Sequence, residues 1–127
     1  MNLALWIAAI LLAAVALVGG INKAFLPRAK LAALPGGAWT TSASGGFVRT
    51  LGVLEILAAA GLILPAVLDI APVMVPVTAV CWVLLMIGAM ITHGRLGEYR
   101  FVVLNVVYLV LAAFIAWGRF LLEPFAS

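Results

Sequence analysis

The chain has 127 residues, 68% of them hydrophobic and only 9% charged, with a mean hydropathy of +1.35. A water-soluble domain of that size has too small an interior to hide so much apolar side chain, so the composition excludes one and places the chain in a bilayer. The net charge of +3 comes from seven basic residues that read best as topology signals, and no nucleic-acid signature accompanies them.

An apolar run of about 20 residues crosses the ~30 Å hydrocarbon core as a helix. Four such runs fit, which predicts an all-α integral membrane protein: one four-helix transmembrane bundle over 1–127. The first span is expected at 3–23. It is longer than a signal-peptide core and has no basic start, so it reads as a retained helix. A loop at 24–45 follows, interrupted by Pro27, Pro35, Gly36, Gly37 and Gly45. Its RAKLAAL piece suits the membrane surface, and Trp39 suits the interfacial belt. The second span is expected at 46–65, and the link PAVLDIAP leads to a third at 73–93 with Pro76 in its first turn. The polar turn HGRLGEYR precedes a fourth span at 101–121, which ends at Arg119, Glu123 and Pro124. The single cysteine, Cys81, rules out an internal disulfide.

Charge bias orients these spans. Lys23, Arg28, Lys30, Arg49, Arg95 and Arg100 fall on one side and Arg119 alone on the other, so both basic loops are expected in the cytoplasm and both termini outside.

Polar side chains concentrate in the same half of the bundle. Lys23 and His93 sit at span ends and Arg49 about a turn inside. Asn105 and Tyr108 lie further along the fourth span, and Glu55 is about 13 Å deep. A lone charge at such depth costs roughly 2.5–3.5 kcal/mol, so it should face the interior and find a partner. The helical neighbours of Glu55 include Gly52, Ala58 and Ala59, small residues that permit close helix contact. Arg49 points about 120° away, so the partner is expected from another helix: Lys23, His93, Asn105 or Tyr108.

Trp82, Met86, Ala89 and His93 share one face of the third span, and Asn105, Tyr108 and Ala112 share one face of the fourth. Together they would wall a pocket with a polar mouth that suits an amphiphile such as a quinone or lipid. The ligand-binding or proton-path candidates are therefore Lys23, Arg49, Glu55, His93, Asn105 and Tyr108, with Gly52, Trp82 and Met86 as lining candidates. No catalytic residue is assigned, and one histidine without a cluster is no metal site. Each candidate also has a structural reading. Glu55 and Asn105 can join helices, Lys23 and Arg49 can snorkel, His93 can be solvated at the interface, and Trp82, Met86 and Tyr108 can be packing.

GGINKAF closes the first span, and RTLGVLEILAAAGLILP carries Arg49, Gly52, Glu55, Gly61 and Pro65. APVMVPVTA, THGRLGE and Asn105 follow in order. On these segments, which cover almost the whole chain, the sequence resembles the DoxX-like family of small four-span bacterial membrane proteins. The resemblance implies a multi-pass bundle in the bacterial inner membrane. By wider kinship it implies association with quinone-linked redox complexes, including a thiosulfate:quinone oxidoreductase, and with oxidative-stress assemblies. The family supplies no agreed catalytic set, so Lys23, Arg49 and Glu55 carry over only as motif positions.

Three functions follow. The first is a subunit that binds a quinone-like or other lipophilic molecule and supports a redox or oxidative-stress complex through partner proteins. No haem ligand pair, iron-sulfur cysteines, flavin motif or nucleotide loop is legible, so catalysis by the chain alone is not expected and no cofactor is expected to be covalently bound. The second is a non-enzymatic assembly or scaffold protein, compatible with a homo-oligomer. The third is a proton-coupled exporter of lipophilic cations. Against the exporter stand the placement of its carboxylate in the second span and the six-to-one basic bias.

Overall fold

The computed structural model describes residues 1–125. Four long helices dominate it: α1 (Asn2–Phe25), α3 (Gly45–Val67), α4 (Met74–Arg95) and α5 (Tyr99–Trp117), the last continuing as a π-helical turn over Gly118–Leu122. Each is long and apolar enough to cross a bilayer, and the protein is a multi-pass membrane protein. The connection between α1 and α3 holds a short helix, α2 (Arg28–Ala33), and a 3₁₀ turn over Ala38–Thr41.

Local chemistry sets these boundaries. α1 stops at Leu26, which is extended as the residue before Pro27 must be. α3 starts at Ser44, whose hydroxyl accepts from the Phe47 N–H at 3.1 Å. Pro65 falls in the last turn of α3, so the helix ends soon after it, at Val67. The link to α4 turns through two residues with left-handed backbone, Asp69 (φ 53°) and Ala71 (φ 47°).

The helices run up and down as an antiparallel ring, with α1 beside α3, α3 beside α4, α4 beside α5, and α5 closing on α1. The tightest seams are α1 with α3 and α4 with α5. The core is filled by large residues such as Leu5, Leu12, Leu62 and Ile115, interleaved with Ala9, Ala16, Ala79 and Ala112. Small residues at such seams let helices approach where no hydrophobic drive toward one another exists, since lipid is as apolar as leucine.

The α1–α3 connection and the α4–α5 turn lie at one end, with Arg28, Lys30, Arg49, Arg95 and Arg100 all exposed there; it is called the basic end below. The opposite end holds Met1, the α3–α4 link and the π turn, and is called the terminal end. There Arg119 is buried, its guanidinium 4.0 Å from the Phe125 ring centroid and 5.9 Å from that of Trp6. Its Nη1 donates to the Glu123 carbonyl at 3.1 Å. The expected span-end arginine is thus an internal clasp between α5 and α1.

Candidate functional site

The site grows from the crossing of α1 and α3. A Cβ built on Gly20 would lie 2.7 Å from the Gly52 carbonyl oxygen, and one on Gly52 would lie 2.5 Å from the Ala24 nitrogen. Only glycine at both positions lets the two backbones come this close. Lys23 lies three residues beyond Gly20, and Glu55 three beyond Gly52.

Side chains lean toward their helix N-terminus. In this antiparallel pair, Lys23 therefore leans into the bundle while Glu55 leans toward the basic end, and the two converge. The Lys23 Nζ donates to both carboxylate oxygens of Glu55, at 2.8 Å and 3.0 Å. The Glu55 side chain is 8% exposed and that of Lys23 23%. The carboxylate is thus matched by a cation across the seam, which answers the cost of holding it in an apolar helix.

The ion pair lines a cavity of about 410 Å³ bordered by α1, α3, α4 and α5. Trp82 and Met86 of α4 form a buried apolar wall, and His93 stands on the same face nearer the basic end. Asn105 and Tyr108 of α5 complete the polar side. The His93 Nδ1 is 3.0 Å from the Glu98 Oε1 and its ring packs on Phe101, with centroids 5.4 Å apart. With Glu98 as acceptor, Nδ1 is the donor and Nε2 is the nitrogen left for another partner. Two further donors in the wall, the Trp82 Nε1 and the Asn105 Nδ2, are buried without a partner among the described residues. Buried N–H groups are ordinarily satisfied by protein or by another bound molecule.

Of the residues expected at the site, Lys23, Glu55, His93, Asn105, Tyr108, Trp82 and Met86 come together around this cavity. Arg49 does not. It is exposed, faces away from the cavity and has no ion pair among the described residues. Depth along the helix put it near the site, but its angle around the helix carries it to the outer surface. Gly52 is buried against α1 and serves the helix crossing rather than the cavity wall.

The loop contributes residues that sequence reasoning left outside. Trp39 lines the cavity at the basic end together with Phe47. It is positioned by the 3₁₀ turn, which Arg28 holds through an Nε hydrogen bond to the Thr40 carbonyl at 3.0 Å and a longer Nη2 contact to that of Thr41 at 3.4 Å. Thr40 is buried and donates to the Gly37 carbonyl at 2.7 Å. Gly19 also borders the pair; a Cβ there would sit 3.5 Å from the Lys23 Nζ. The glycine doublet before Lys23 was the legible signal for it. Among the described residues no group of three metal-ligating side chains occurs.

Comparison with curated proteins and with solved structures returned no significant match. The model of the DoxX-like family matches residues 7–115, a segment that holds all four long helices apart from their outermost turns and every residue of the cavity. The chain belongs to the DoxX-like family.

Proposed function

We propose that the protein is a bacterial inner-membrane subunit, with both termini outside, that binds the polar head of a quinone-like or other lipophilic molecule in this cavity. It acts through partner proteins in a redox or oxidative-stress complex, and those partners carry the electrons. The observation that carries this reading is the Lys23–Glu55 pair in the wall of a cavity that lies within the apolar thickness of the bundle. A pair serving only to join helices needs no adjoining space, and here about 410 Å³ adjoins it.

The lining suits a quinone ring. Its carbonyl oxygens are acceptors, and the ammonium of Lys23, the hydroxyl of Tyr108 and the amide of Asn105 are donors on the same cavity. Glu55 supplies a group that can take or give a proton if the ring is reduced. Trp82 and Met86 offer the flat and adaptable apolar surface against which such a ring packs.

A scaffold role is the second reading, favoured by the fact that the same pair ties α1 to α3. Extraction of the purified protein and mass spectrometry of the bound lipophile separate the two. The ligand reading expects a quinone or related amphiphile with wild type and its loss from Glu55→Gln, with helix content retained. Wild type carrying no lipophile, with the variant lower in stability or stripped of co-purified neighbours, leaves the scaffold.

A further inference from the structure

The cavity is not closed toward lipid. Phe47 and Leu84 both border it and both are largely exposed on the outside of the bundle, one on α3 and one on α4. A second, apolar depression of about 480 Å³ runs along this same seam toward the terminal end. Leu51, Trp82 and Leu85 line both spaces, so the two adjoin and these three side chains form the boundary between them.

The shape of the seam explains the depression. At its terminal end the helices are in close contact, since a Cβ on Gly61 would lie 2.5 Å from the Thr78 Oγ1. Nearer the basic end, the bulky side chains of Leu51 and Leu85 line both spaces instead. The α3–α4 groove is therefore narrow where Gly61 meets Thr78 and borders the polar cavity at Leu51 and Leu85. Between those limits it is floored by Ala58 and flanked by Cys81, whose side chain is exposed.

From this shared boundary we infer that the α3–α4 groove holds the apolar tail of the same amphiphile whose head occupies the cavity, the tail passing over Leu51 and Leu85. The inference rests on the proposed head site and adds the class of ligand: a polar ring or headgroup bearing one long apolar chain. A head seated beside Lys23 and Glu55 has Trp39 and Phe47 on the basic side and the tight α1–α3 seam behind it. A tail leaving along α3 and α4 runs over apolar side chains, apart from Thr78, whose hydroxyl is turned to the Met74 carbonyl at 2.6 Å. The molecule then enters from the bilayer sideways, between Leu51 and Leu85.

Cys81, the one cysteine of the chain, is a native reporter in the groove. The full chain in nanodiscs is exposed to a lipid-soluble maleimide with decylubiquinone, with tail-less duroquinone, or with neither. Head binding is read in parallel as saturable quenching of tryptophan fluorescence. Both quinones should quench, and only decylubiquinone should slow Cys81 labelling severalfold. Ala58→Phe, which fills the groove floor, should weaken decylubiquinone by about tenfold and leave duroquinone unchanged. Quenching by both with Cys81 labelling unaffected overturns the tail route and leaves the head site standing. Saturable quenching by neither removes the head site, and the inference with it.

Discussion

Gly20 and Gly52 meet backbone to backbone where α1 crosses α3, and the Lys23–Glu55 pair forms three residues along each helix from that contact. The crossing fixes the distance over which the pair must reach. Gly52→Ala forces the helices apart and should cost about 1–3 kcal/mol, read as a lower unfolding midpoint by circular dichroism in detergent. Gly88→Ala, where the added Cβ meets nothing within 4 Å, is the matched control and should hold or raise the midpoint.

Breaking the ion pair from one side leaves the other charge without a partner at depth. Lys23→Met and Glu55→Leu should each destabilise by roughly 2–4 kcal/mol, and the double variant should lie closer to wild type than either single one. A double-mutant cycle on unfolding free energy measures this. Additive losses would show that the two residues do not stabilise each other.

The placing of Trp39 against the cavity depends on Arg28. Arg28→Ala removes both hydrogen bonds to the 3₁₀ turn, so emission from Trp39, isolated by replacing the other three tryptophans with phenylalanine, should shift to the red. Protease cleavage between residues 34 and 44 should quicken in the same variant. An unmoved spectrum would mean that the turn holds without the arginine.

Arg49 provides a contrast with Lys23. Both are basic and both stand at motif positions, but only Lys23 touches the cavity. Arg49→Gln should change stability by less than about 0.5 kcal/mol and leave quinone quenching unaltered. A loss of quenching comparable to that of Glu55→Gln would return Arg49 to the site.

Ala71 holds a left-handed backbone (φ 47°) that alanine adopts at a cost. Ala71→Gly relieves it and should raise the unfolding midpoint by an amount worth about 1 kcal/mol, less the extra freedom glycine gains when unfolded.

These residues also mark what could be read without coordinates. The four spans were legible because apolar runs of membrane length end at strong local signals, such as Ser44 before α3 and Leu26-Pro27 after α1. The inward turn of Glu55 followed from Gly52 and Ala59 on its own face. Lys23 was one of four expected partners, and choosing among them required knowing which helices adjoin, a property of the whole ring. Trp39 was out of reach because its place depends on Arg28 meeting carbonyls twelve and thirteen residues away. Arg119 could have been found: Asn105, Tyr108, Ala112, Ile115 and Arg119 follow one another at helical spacing, but the last counted only as the span-end charge that orients the chain.

The clasp at Arg119 bears on how the protein meets its two leaflets. Its guanidinium lies beneath two aromatic rings and offers no positive side chain to the membrane surface on that rim, whereas the opposite rim displays five exposed basic residues. Anionic headgroups will therefore be drawn to one leaflet around the protein and hardly to the other, at about 1 kcal/mol for each basic side chain near the surface. The lipid annulus is polarised, and the Lys23–Glu55 pair with its cavity lies in the half of the bundle nearer the anionic side.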